Sequence, residues 1–243
     1  MRIHRIYCKS VSETNSVFKI DKAQSLHLTK VLRLDVNDEV EVFDGHGSSA
    51  ICKILEPNRS SVSLQRVADI KTAKPSTNRL GFILPFIKKE NFHFMLQKLC
   101  EIGATEFIFY KPDLIDQSIA KKDLSKIYSK SGEVIISACK QCGTNFLPIT
   151  SFVSSLGDAI KKLDPSSTKY VFDVEANDIF EVSLLKSNNI FVITGAESGF
   201  SESEINHIYE KDFSFKLLSK NILRAETAPL VIASLIQNHF DKI

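Results

Sequence analysis

A chain of 243 residues has room for one large domain or two modest ones, and 43% apolar residues suffice for a packed core. A formal net charge of +2 excludes a histone-like or arm-type nucleic-acid binder but leaves room for a local basic patch. No apolar stretch approaches the ~20 residues of a membrane span. Met1 to Lys9 lacks the apolar core of a signal peptide, so a cytoplasmic protein without membrane contact is expected.

In chain order, residues 1–70 read as short strands with one short helix around Ser25 to Leu32. Glu39 to Phe43 alternates polar and apolar, Asp44-Gly45-His46-Gly47 is a turn, and Ser48 to Leu55 resumes a strand. Ser61 to Val67 alternates again. The whole predicts a small β-barrel-like domain. Residues 71–78 are polar, contain Pro75, and read as a linker.

From residue 79 the grammar changes to alternating strands and helices, which predicts a mostly parallel sheet covered on both faces. Leu80 to Leu84 is the first strand. Phe92, Met95, Leu96, Leu99 and Cys100 then mark a helix ended by Gly103. Further strands are expected at Phe107 to Tyr110, Tyr170 to Phe172, Ile190 to Ile193 and Phe213 to Leu218. The five cysteines are odd in number and scattered, unlike a disulfide framework. Cys139 and Cys142 form a C-x-x-C in the last turn of a helix, without the second pair or histidines of a metal site, so none is expected.

Two loops of small residues each follow a strand. Thr194-Gly195-Ala196-Glu197-Ser198-Gly199-Phe200 follows the run ending at Ile193, and a capping box of Ser201 and Glu204 then starts a helix. Ser219-Lys220-Asn221-Ile222-Leu223-Arg224-Ala225-Glu226-Thr227-Ala228 follows the run ending at Leu218, with Pro229 in the first turn of the next helix. The first loop has neither the G-x-G-x-x-G spacing of a dinucleotide fold nor the ending of a P-loop. Two such loops at the carboxyl ends of strands are what an open α/β sheet presents to a flat ligand. Leu218, Ile222 and Leu223 suit the faces of an aromatic ring, and Arg224 and Glu226 put chemistry beside it.

These segments resemble the RsmE family of ribosomal RNA uridine-N3 methyltransferases, members of the SPOUT (trefoil-knot) superfamily. Residues 194–201 with Glu204 are similar to the family's G-P-E-G-G-F-S signature. Ile222 to Ala228 matches its I-L-R-x-E-T-A closely. His27 to Leu34 and Gln97 to Ala104 match as well, so the resemblance runs through nearly the whole chain. It implies a PUA-like RNA-binding barrel over residues 1–70 and a SPOUT domain over residues 79–243, with a carboxyl-terminal knot and a site completed across a homodimer. It also implies S-adenosylmethionine as cofactor and ribosomal RNA of the small subunit as partner.

The cofactor would be held by Phe172, Thr194, Gly195, Ala196, Glu197 and Gly199 on one side, and by Leu217, Leu218, Ser219, Ile222 and Leu223 on the other. Methylating N3 of uridine leaves negative charge over N3 and the flanking carbonyls, which a fixed guanidinium at Arg224 would stabilise. Arg224 could instead hold a phosphate or a structural ion pair with Glu226 or Glu197. Glu226 and Glu197 are the candidates for base or positioner, or else satisfy N–H groups at a helix start. Arg2, Arg5, Lys30, Arg33 and Lys88 are the expected RNA contacts, and His27 is expected to pack or cap. Three positions depart from the family. Ser198 and Ser219 replace glycines, so a positive φ at Ser198 would be strained, and Thr144 replaces an arginine. The departures motivate an alternative, a ribosome-assembly factor whose catalysis has decayed. A third possibility is the same fold acting on another RNA nucleotide.

Overall fold

The computed structural model describes residues 3–13, 15–241 and 243. The chain divides into two compact units, one of Met1–Pro75 with Cys139–Leu147 and one of Ser76–Ala138 with Pro148–Ile243.

The first unit holds β1 (His4–Tyr7), β2 (Val17–Lys19), α1 (Lys22–Leu26), β3 (Glu39–Phe43), β4 (Ser48–Glu56), β5 (Ser63–Arg66) and β6 (Lys71–Thr72). The strands form one sheet in the order β1-β3-β4-β5-β2, with β6 on β4, and only β1 and β3 pair in parallel. Alternation along the strands buries Ile6, Val40, Val42, Cys52, Ile54 and Leu64 completely. The turn before β4 is fixed by Asp44, whose carboxylate accepts the N–H of His46 at 2.7 Å and of Ser48 at 3.0 Å. The helix begins before Ser25, because Asp21 caps α1 by accepting the N–H of Gln24 at 2.8 Å. It widens to a π-type turn over His27–Val31, and Arg33, at φ +56°, ends it.

The second unit alternates β7 (Arg79–Pro85), α2 (Lys89–Ile102), β8 (Glu106–Tyr110), α3 (Gln117–Ala120), α4 (Leu124–Cys142), β9 (Ile149–Val153), α5 (Leu156–Lys161), β10 (Thr168–Phe172), β11 (Asn189–Thr194), α6 (Glu202–Tyr209), β12 (Ser214–Lys216) and α7 (Thr227–His239). The last turn of α4 falls within the first unit. All neighbouring strands are parallel, in the order β12-β10-β11-β7-β8-β9. The inner strands are continuously apolar because helices cover both faces. Phe82, Phe107, Phe109, Val192 and Ile193 have no exposed surface. All five apolar positions read for α2 are buried, and Gly103 ends the helix at φ +94°. The sequence reading missed β9, a short edge strand, and gives β12 extra length at both ends. Among the described residues no helix is long and apolar enough to cross a membrane.

Candidate active site

Register decides where the site lies. Phe172 of β10 stands opposite Thr194 of β11 on one side and Lys216 of β12 on the other, while Ile193 stands opposite Ile83 of β7. The loops leaving β7, β10, β11 and β12 therefore emerge side by side at the carboxyl edge of the sheet, where open α/β sheets take ligands. They enclose a cleft of about 500 Å³.

The loop after β11 makes one wall. Ala196 to Gly199 is a tight turn, closed by the Gly199 N–H donating to the Ala196 carbonyl at 3.0 Å. Only Gly199 in this turn has positive φ, +75°, so the serine at 198 sits in ordinary backbone and the expected strain does not arise. Ser219 likewise stays out of the left-handed region. A Cβ on Gly195 would come within 3.3 Å of the Gly199 Cα, which keeps this stretch of backbone bare. The turn feeds α6 through the capping box. The Ser201 hydroxyl accepts the Glu204 N–H at 3.1 Å, and the Glu204 carboxylate accepts the Ser201 N–H at 2.9 Å. Burial raises the Glu204 pKa.

The segment after β12 makes the opposite wall. Leu217 is held to the chain after β10 by backbone bonds, its N–H to the Asp178 carbonyl at 2.7 Å and its carbonyl from the Phe180 N–H at 2.9 Å. The Arg224 carbonyl receives the N–H groups of Thr227 and Ala228 at 2.9 and 3.0 Å, which turns the chain into α7.

Eight of the expected cofactor residues line the cleft: Phe172, Thr194, Gly195, Ala196, Glu197, Gly199, Ile222 and Leu223. Leu217, Leu218 and Ser219 line an adjoining recess of about 60 Å³ that shares Phe172 and Leu223 with it. Arg224 and Glu226 both face the main cleft. Their ion pair is loose, 3.9 Å from Nη1 to Oε1, with 83% of the arginine side chain exposed against 10% of the glutamate's. Glu226 makes no side-chain cap bond to α7. Glu197 accepts a long bond, 3.4 Å, from the Lys88 N–H. Thr194 is 3% exposed, and among the described residues its hydroxyl oxygen has no hydrogen-bond partner. A buried polar atom left unpaired costs about 1–3 kcal/mol, so such an atom in a cleft wall points to a ligand.

The expected RNA contacts separate. Lys88 lines the cleft, with its ammonium 3.4 Å from Asp116. Lys30 and Arg33 are exposed on the first unit. Arg2 lies outside the described residues. Arg5 is corrected: it is not available to a phosphate. Its side chain is 8% exposed and pairs with Glu41 at 3.0 Å. It also donates to the carbonyls of Cys139 and Thr144 at 3.0 and 3.2 Å and to the Asn145 carboxamide, and it lies 4.6 Å over the Phe43 ring. The sequence reading missed Asn91, Asp173, Val174, Phe200, Ala225 and Ala228, which also line the cleft. Phe200, Ala225 and Ala228 sit inside the two motifs and were legible there. Asn91, in the first turn of α2, and Asp173 and Val174, after β10, lie outside the motifs and carry no signal of their own.

Residues 74–237 match the family model described as an RNA methyltransferase domain, and residues 20–65 match that of an RNA methyltransferase PUA domain. Ribosomal RNA small subunit methyltransferase E of Buchnera aphidicola subsp. Schizaphis graminum is 28% identical over 98% of this chain and 97% of its own length. The protein of the same name from Rickettsia conorii is 27% identical over the full length of both. The crystal structure of the Neisseria gonorrhoeae protein of that name, bound to S-adenosyl methionine, superposes with a TM-score of 0.84 at 23% identity and covers 98% of both chains. At that identity it speaks for the fold.

Proposed function

The chain belongs to the RNA methyltransferase family, and we propose that it transfers a methyl group from S-adenosylmethionine to N3 of a uridine in small-subunit ribosomal RNA. One observation carries the reading: both lean loops, with Arg224 and Glu226, wall a single cleft at the carboxyl edge of a parallel sheet. The lining fits the cofactor. Bare backbone at Gly195 and Gly199 lets an adenosine approach, Leu218, Ile222 and Leu223 offer apolar contact to its ring, and the unpaired Thr194 hydroxyl awaits a polar partner. When bound, the cofactor supplies an already activated methyl group.

The protein's part is to hold the base and manage its charge. Glu226, barely exposed and free of a capping duty, takes the N3 proton. Arg224, held only by a loose pair, turns to the charge left on the pyrimidine. Lys88, Lys30 and Arg33 hold RNA phosphates, the last two from the PUA-like unit. We infer further a trefoil knot in the second unit, a homodimer that completes the site, and a cytoplasmic setting, as the resemblance of the two loop motifs implies. The absence of positive φ at Ser198 and Ser219 argues for a working enzyme over a decayed assembly factor.

The test is methylation in vitro of assembled small subunits and of naked ribosomal RNA, with nucleoside analysis of the product and calorimetric titration of the cofactor. N3-methyluridine supports the reading. A different methylated nucleoside moves the substrate, and no cofactor binding at millimolar concentration leaves a binding protein.

A further inference from the structure

The cleft contains a polar side chain that no motif accounts for. Asn91 lies in the first turn of α2, the helix that follows β7, and lines the same cleft as Arg224 and Glu226. It is half-buried, and its carboxamide makes no hydrogen bond among the described residues. Its neighbour in the cleft wall, Lys88, is engaged by Asp116 and, through its N–H, by Glu197. Asn91 is therefore an uncommitted neutral donor, on a different element from Arg224, facing the same space.

The chemistry of the proposed substrate says what such a donor is for. A methyl group reaches N3 of uracil in the plane of the ring, so no protein group can occupy N3 when transfer occurs. The base has to be held by its flanking carbonyl oxygens, O2 and O4. Loss of the N3 proton leaves its bonding pair on the ring and spreads negative charge over both oxygens. We propose that Asn91 donates a carboxamide N–H to one of these oxygens while Arg224 serves the other, which makes Asn91 a catalytic residue of the uridine site. This rests on the function proposed above. A carboxamide suits the task because it stays a donor at every working pH and does not compete for the N3 proton. At the first turn of a helix, the unpaired backbone N–H groups favour the same developing charge.

The test uses full-length Asn91→Ala and Asn91→Asp, with single-turnover methylation of small subunits at saturating cofactor and calorimetric titration of S-adenosylmethionine on the same preparations. Asn91→Ala is expected to slow transfer on the order of 100-fold, as loss of one preorganised donor does elsewhere, with cofactor affinity within about twofold of the parent. Asn91→Asp is expected to be slower still, with its rise in rate displaced to higher pH, because a carboxylate repels the pyrimidine anion. An Asn91→Ala rate within about twofold of the parent overturns the assignment, as does an unmoved pH profile in Asn91→Asp or a parallel loss of cofactor affinity in both variants. A parent protein that binds cofactor yet makes no N3-methyluridine overturns the underlying reading and this assignment with it.

Discussion

Arg5 and Arg224 look alike in the sequence, each a cation among apolar neighbours, and the two units use them in opposite ways. In the first unit the Arg5 guanidinium is fully engaged by a carboxylate, two backbone carbonyls, a carboxamide and an aromatic face. In the second, Arg224 has one distant carboxylate and an exposed side chain. Thr194 and Asn91, beside it, leave hydrogen-bonding capacity unused. A polar group whose bonds are all made within the protein stabilises the fold, and one whose bonds remain to be made is available to a ligand. The sequence names both arginines; only packing tells them apart.

The sharpest way to break that contrast is to delete each arginine. Arg224→Ala is expected to slow single-turnover methylation on the order of 100-fold or more and to leave the thermal midpoint unchanged, since an exposed, loosely paired side chain contributes little to stability. Full turnover in this variant would remove Arg224 from the chemistry. Arg5→Ala should do the reverse. It strands the carbonyl of Thr144, takes one donor from that of Cys139 and removes the cation beside Glu41, so denaturant unfolding of the first unit should lose about 3 kcal/mol. Cofactor affinity, read by calorimetry, should stay the same. A variant as stable as its parent would show that this network is not structural.

How much of this was legible in the sequence follows the range of the signals. Elements set by local periodicity were readable: the five buried positions of α2, the Gly103 stop and the Ser201–Glu204 capping box all appear where the spacing put them. The cleft was readable too, because both loops follow strands and their small residues are contiguous. What failed depends on contacts far apart in the chain. Arg5 meets Cys139 and Thr144 across more than a hundred residues, and no pattern around either end announces the pairing. Thr144 illustrates the same limit. Its side chain hydroxyl accepts the Phe146 N–H at 3.2 Å and its carbonyl serves Arg5, so the position is tied into the first unit by both side chain and backbone. β9 was missed because Thr150 and Ser151 break its apolar residues into neither an alternation nor a continuous run, which an edge strand tolerates. Its Ile149 is largely exposed.

A smaller effect sharpens the contrast within the cleft. Thr194→Val keeps the shape and removes the unpaired hydroxyl. Stability without ligand should hold or rise by about 1 kcal/mol, while affinity for S-adenosylmethionine falls about fivefold if that hydroxyl bonds the cofactor. Unchanged affinity would return Thr194 to the fold.

The smallest effect probes the exception in the first unit, where one cation is poorly served. Lys140 is half-buried, with Gln24 at 3.2 Å as its hydrogen-bond acceptor, and burial lowers its pKa from 10.5 to about 8, against the pull of Asp21. Below about pH 8 the folded protein therefore carries a charge that the unfolded chain solvates better. Between pH 8 and 10.5 the folded form loses that proton first, and the penalty fades. Lys140→Met should raise the thermal midpoint by about 2 °C at pH 7, a figure kept small because the ammonium is partly exposed. The gain should shrink steadily as pH rises through this window. His27 gives an independent readout. Burial lowers its pKa, and the charges of Lys140 and His4 lower it further, so removing the lysine should move the imidazole titration upward. A gain in midpoint that persists unchanged at pH 10.5 would mean that methionine simply packs better there, and that this first-unit cation was as well placed as Arg5.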